Sequence, residues 1–232
     1  MRSAFYRTLD TLAQSSNRAA AATLIQTIDA EEREVVDGVI KTLARRREKE
    51  GHLAIIAKWH ELDDERRQIA SICRGRIGNA LRDALLSTGQ LFENACIVAE
   101  TFLEYDQIPT LITIAEQPHG DRTARALELI DRLVDELTRR MHTSPGEPRQ
   151  PQCEPMRRQV LDSLERSAVR FRNHQQRKLI DAFVALAGAS CETLRRILYD
   201  PMNASFRAVV RTLTESNSPG VIHLIFEYLK SP

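Results

Sequence analysis

Apolar residues recur along this chain at steps of three and four. In the stretch DRTARALELIDRLVDELTRRM, residues 121–141, Leu127, Ile130, Val134, Leu137 and Met141 form one stripe on a helical wheel. LFENACIVAETFLEY repeats the pattern with Leu91, Ala95, Val98 and Phe102. LIDAFVALAG does so with Leu179, Ile180, Phe183 and Leu186, and Gly188 follows as a helix stop. No stretch sustains a two-residue alternation between turn signals, so the pattern predicts an all-α protein with no sheet.

Short breakers such as DAEE, DDER, STGQ, QPHGD and NSPG punctuate the helices. Asp29, Asp63, Ser87, Asp121, Ser190, Asn203 and Ser218 are candidate N-caps, because a side-chain oxygen there can accept from an open helix N–H. Leu24, Leu53, Leu81 and Leu111 recur at intervals of 29, 28 and 30 residues, each near the start of an apolar helix. A loose period of that length, made of helix pairs, is the mark of a stacked α-solenoid, against an irregular helical bundle as the alternative.

The segment LRRILYDPMNASFRAVVRTLTESNSPGVIHLIFEYL resembles HEAT repeats. An apolar first helix meets a turn at Asp200-Pro201, and a second helix opens on the apolar-Arg pair Phe206-Arg207, with Val210 and Leu213 in register. The resemblance is clearest over residues 176–232. Over 20–141 only the helix-pair rhythm remains. It implies a right-handed α-solenoid of stacked antiparallel helix pairs over residues 1–232, in which the second helices line the concave side. Scaffolds of this kind share a shape more than an activity.

Residues 143–155, TSPGEPRQPQCEP, hold four of the nine prolines and little that is apolar. The stretch is expected to be an exposed, non-helical excursion within one solenoid, with a boundary between two lobes as the alternative. The last helix raises a different question, since seven of the nine residues from Val221 to Leu229 are apolar. Ile222, Ile225, Phe226 and Leu229 form one stripe, expected to pack on the preceding helix. Val221, Leu224 and Tyr228 form a second, expected to stay exposed, whereas a terminal solenoid helix should be polar on its outer side. Two readings follow. The chain is the N-terminal part of a longer solenoid, or the stripe is a contact surface for another chain, self-association included. The bland alternative is a helix that folds back and is covered within the chain.

Composition narrows the function classes. Thirty-three basic and thirty-two acidic residues leave no net field toward nucleic acid or an anionic membrane, and no apolar run is long enough to span a bilayer. Cys73, Cys96, Cys153 and Cys191 lie far apart, with no C-x-x-C pair, which fits idle thiols in a reducing cytoplasm. The six histidines show no metal-ligand spacing and there is no Gly-rich phosphate loop, so neither metal nor organic cofactor is expected. WHELDDE, residues 59–65, is the densest group of potentially catalytic residue types. It lacks the second histidine of a metalloprotease pair, and Asp63 and Asp64 read better as a helix cap and a charge at the positive helix end.

Basic residues cluster more clearly. Residues 156–179 carry a local balance of +5, with Arg166, Arg170 and Arg177 on one side of a helical wheel, and Arg45, Arg46 and Arg47 make a second patch. Such faces hold phosphates or an acidic partner surface, or are simply solvated, with the Arg stems covering apolar area. The leading expectation is a non-enzymatic protein-interaction scaffold, its candidate contacts Arg166, Arg170, Arg177, Val221, Leu224 and Tyr228. The alternative is a HEAT-like DNA glycosylase or nucleic-acid-binding solenoid using the patches at 45–47 and 157–178. A glycosylase would need Trp59 on a cleft wall beside Asp63 or Asp64.

The proline-rich stretch generates a direct test. Limited proteolysis of the native protein should cut first within residues 143–155, read by mass spectrometry of the earliest fragments.

Overall fold

A computed structural model of the chain describes residues 4–15, 17–117, 120–142 and 153–230. The described residues form α-helices joined by turns and short 3-10 segments, with no strand among them. The chain divides into two compact units, Met1–Glu104 and Tyr105–Pro232. The division falls between Glu104 and Tyr105. It does not fall in the proline-rich stretch, residues 143–152 of which lie outside the described residues. No described helix is long and apolar enough to cross a membrane.

The first unit holds α1 (Ala4–Gln14), α2 (Arg18–Thr27), α3 (Arg33–Arg45), α4 (Lys49–Ala57), α5 (Asp64–Ala70), α6 (Gly78–Leu86) and α7 (Gln90–Phe102). α3 packs on α1, α2, α4 and α5, and α4 packs on α6 and α7. A buried asparagine makes the α4–α7 junction specific. Asn94 donates to the carbonyls of Ile56 and Ala57 at 3.0 and 2.8 Å, satisfying acceptors that the end of α4 leaves open. Its own carbonyl oxygen accepts from Gln90 at 2.9 Å. Trp59, just past α4, is fully buried with its ring edge-on to Phe102 at 5.5 Å between centroids.

The second unit holds α8 (Ile108–Ala115), α9 (Asp121–Met141), α10 (Glu154–Val169), α11 (Phe171–His174), α12 (Arg177–Leu186), α13 (Glu192–Tyr199), α14 (Phe206–Glu215) and α15 (Pro219–Lys230). α9 packs on α8 and α12, α10 on α8 and α12, and α14 on α12 and α13. The stripes read from sequence are the buried ones: Ile130, Val134, Leu137 and Met141 on α9, and Leu179, Ile180, Phe183 and Leu186 on α12. Asp200-Pro201 does form the turn between α13 and α14, where the Asp200 carboxylate accepts from the Met202 N–H at 3.0 Å.

Three local expectations are corrected. Glu154 and Pro155 open α10 instead of belonging to the loop, because a proline in the first turn lacks only an N–H that the helix could not have used. There Glu154 accepts two bonds from the Arg157 guanidinium, which with Arg158 holds its carboxyl down at about 2, and a third bond from that guanidinium goes to the Leu186 carbonyl. Of the expected caps, Asp63 accepts from the Arg66 N–H at 2.9 Å, whereas α7 starts on Gly89 and the Ser87 hydroxyl turns back to the Ala84 carbonyl.

The third correction concerns α15. Val221 and Leu224, expected exposed, are fully buried, and Tyr228 is partly covered. Ile225, Phe226 and Leu229 of the stripe expected inside are exposed, Leu229 by 77%. The reason is that α15 folds back on α9 and α12 as well as meeting α14. Gly220 lies so close to the Ala185 carbonyl that no side chain fits there. His223 stacks on His142 at the end of α9, ring centroids 3.9 Å apart. Glu227 accepts from the Ala189 N–H at 2.8 Å.

Gly220→Val should therefore undock α15. A Cβ there would collide with the Ala185 carbonyl and sit 2.9 Å from a Thr138 methyl carbon. The expected loss is about 1–3 kcal/mol or more of stability, read as a lower thermal midpoint. Hydrogen exchange should accelerate more at α15 amides than at α8 amides.

Candidate functional site

The corner between α10 and α12 decides where the basic side chains of this region point. α10 stops at Val169, and α11 is a single turn that ends on Gln175 with a left-handed φ of 55°. His174 locks the corner. Its Nδ1 accepts from the Gln176 N–H at 3.0 Å, so the ring proton sits on Nε2, which donates to the Ser167 carbonyl at 3.1 Å. The N-terminal end of α14 is pinned beside this corner by the Ser205 hydroxyl, which donates to the Ala168 carbonyl at 2.7 Å. One turn before its end, α14 is docked to α12 by the Thr212 hydroxyl, which donates to Asp181 at 2.5 Å.

These anchors leave a groove of about 470 Å³ with Phe171 and Arg172 on one wall, Arg177 at the first position of α12, and Arg207 and Arg211 one turn apart on α14. All four arginines are exposed. Arg211 is held by Glu215 at 2.6 Å. Arg172, Arg177 and Arg207 have no carboxylate partner among the described residues. Elsewhere arginines are widely paired: Arg45 with Asp10, Arg66 with Asp37, Arg157 with Glu154 and Arg170 with Glu116. A concavity lined by one sign of charge focuses potential, and planar guanidinium groups suit two-point recognition of carboxylate or phosphate oxygens. The same end carries the N-termini of α12 and α14, neither closed by a side-chain cap, and their partial positive charge adds to the field.

A second groove of about 600 Å³ adjoins the first and shares Arg177, Ala208 and Arg211 with it. Its other walls are acidic: Asp131 and Asp135 from α9, Asp181 from α12 and Glu215 from α14. Burial, followed by the nearby Asp131 charge, pushes the Asp135 carboxyl above the usual range. The surface thus changes sign along α12 and α14, from arginine at their N-terminal ends to carboxylate further on.

Of the three arginines placed on one side of the wheel, Arg177 lines this groove, as does Arg172 of the same basic stretch, and Arg166 and Arg170 do not. Arg170 binds both oxygens of Glu116, at 2.8 and 2.9 Å, and ties the end of α10 to the end of α8. Arg166 turns to the Asp162 carbonyl and the Ser163 hydroxyl over a separate shallow depression. The wheel that put the three together assumed one continuous helix, and the chain turns a corner between Arg170 and Arg177. The patch at 45–47 is also split. Arg46 is buried and donates to the Leu12 and Asn17 carbonyls and to Glu48, clipping the end of α1 to the start of α2. Arg207 and Arg211 were missed as site residues, although an i, i+4 arginine pair opening an apolar helix was visible. Trp59 lies in the core rather than on a cleft wall, and Asp63 is engaged as a cap.

No family model matches the chain, and no curated protein matches it.

Asp135 provides the test of this electrostatic arrangement. Its raised native pKa means the folded state is penalised once Asp135 ionises, fully so above the native pKa and not at all below the unfolded value of 3.8. Asp135→Asn should therefore raise the thermal midpoint at neutral pH, by about 0.5–1 kcal/mol in stability. The difference from the wild type should close as pH falls toward 3.8, as measured by thermal melts across pH.

Proposed function

We propose that the chain is a non-enzymatic protein-interaction scaffold, built as a HEAT-like, right-handed stack of antiparallel helix pairs. In this reading α8/α9, α10/α12 and α13/α14 are successive pairs, with α11 as the corner of the second. Support comes from the packing of first helix on first helix (α8 with α10) and second on second (α9 with α12, α12 with α14). The turn at Asp200-Pro201 and the Phe206-Arg207 opening of α14 agree with the resemblance. The contact face is then formed by α9, α12 and α14, the second helices, which line the concave side in arrays of this family.

The observation that carries the proposal is the convergence of Arg172, Arg177 and Arg207, without carboxylate partners, on one groove of that face. The glycosylase alternative loses its aromatic wall, because Trp59 packs against Phe102. The nucleic-acid alternative loses the 45–47 patch to Arg46 burial, and Asp131, Asp135 and Asp181 would repel a phosphate chain leaving the arginine groove. The exposed Ile225, Phe226 and Leu229 of α15 offer a separate apolar surface for self-association. The widely separated thiols fit a reducing cytoplasm.

The test is affinity capture from an extract of the source organism, comparing the wild type with the double variant Arg172→Glu/Arg207→Glu. A specific protein should be recovered by the wild type, resist nuclease treatment and fall about tenfold or more with the variant. Recovery that is unchanged by the variant, or that consists of nuclease-sensitive nucleic acid, would count against the scaffold reading.

A further inference from the structure

The sign change along α12 and α14 says more about the partner than the arginines alone. Arg207, Arg211 and Glu215 stand on successive turns of α14, and Arg177 and Asp181 on successive turns of α12. The Thr212–Asp181 bond joins the two helices, and the grooves group Arg177 with Arg207 at one end and Asp181 with Glu215 further on, so their basic ends coincide and their acidic ends coincide. At 1.5 Å rise per residue, Arg207 and Glu215 are about 12 Å apart along the axis. An extended peptide covers that distance in about four residues.

A polyanion of uniform charge fits the first groove and is repelled by the second. Asp131 and Asp135 form no salt bridge among the described residues, and the Arg139 charge near Asp135 is bonded to Glu136 at 3.0 Å, so the two aspartates are left to meet a ligand. A polycation meets the opposite conflict. The ligand that satisfies both grooves carries both signs in separate blocks.

We propose that the paired grooves bind an extended protein segment of bipolar charge, with its acidic block against Arg172, Arg177 and Arg207 and its basic block against Asp131 and Asp135. The proposal rests on the interaction-scaffold reading and specifies its partner chemistry. Arginine forks hold the carboxylates of the acidic block, the open N–H groups at the start of α14 lie beside them, and the aspartates of α9 hold the ammonium or guanidinium groups. Because the grooves are open and solvated, attraction sets specificity and encounter rate more than depth of binding, and it weakens with salt.

The experiment measures fluorescence anisotropy of the full chain with labelled synthetic peptides. One carries three Glu, a Gly-Ser spacer and three Lys, and a second has the blocks in reverse order. Controls are an all-Glu peptide, an all-Lys peptide and oligothymidine of similar length. One bipolar order is expected to bind at least about tenfold tighter than each single-sign probe at physiological salt, and Arg172→Glu/Arg207→Glu should abolish that advantage. Asp131→Lys should weaken the bipolar peptide and strengthen the all-Glu peptide and oligothymidine. Circular dichroism checks that both variants, which change exposed positions, keep their helices. Oligothymidine or all-Glu peptide binding as tightly as the bipolar peptide would overturn the proposal in favour of a polyanion site. Bipolar binding that ignores both variants would overturn it too. If capture from extract remains arginine-dependent while no bipolar preference appears, the inference fails and the scaffold reading stands.

Discussion

The second unit depends on covering one long helix. α9 runs for 21 residues and buries nine of them, from Ala126 to Met141. A helix of that composition is marginal alone in water and gains its stability from the neighbours that take its apolar side. α8, α12 and α15 supply that cover. α8 arrives from the preceding turn and α12 from the next part of the chain. α15 comes back from the C-terminal end of the unit, with Gly220 against Ala185 and His223 against His142. Once α9 is held on those sides, its remaining polar side is fixed as well, and Asp131 and Asp135 have a defined place at the groove.

The charge arrangement follows from that packing and from two hydroxyl bonds. Ser205 to Ala168 and Thr212 to Asp181 fix both the position and the sliding register of α14 against its neighbours. In that register Arg211 is paired with Glu215 and lies in the field of Asp181, while Arg172, Arg177 and Arg207 are left without a carboxylate. Asp135 is held above its usual carboxyl range by burial and by Asp131, an arrangement that does not favour the free folded state. Unrelieved charge of this kind is commoner at sites that meet a ligand than on passive surface.

Arginine plays opposite roles within this chain. Arg46 is internal, its guanidinium consumed by backbone carbonyls and Glu48, and works as a clip. Arg170 is a strut between α10 and α8. Arg172, on the single turn of α11, is left for solvent or a partner. Composition cannot separate these roles, because the same fork geometry suits a carbonyl pair, a carboxylate or a phosphate. What differs is the concavity in which each fork sits.

Local periodicity alone determined that the protein is helical and which stripes of α9 and α12 are buried, because those depend on side chains three and four residues apart. It determined the Asp200-Pro201 turn and the Asp63 cap for the same reason. Only the tertiary structure decided which side of α15 is covered. Its wheel has two apolar sides, Val221 with Leu224 and Ile225 with Leu229, and the choice lies with α9 and α12, far away in the chain. Only the tertiary structure assembled the arginine groove too, since α11 breaks the helix that the wheel had continued, and Arg207 reaches Arg172 through the docking of α14. A sequence records charge along one dimension, and the potential of a groove is set by which distant residues packing brings together.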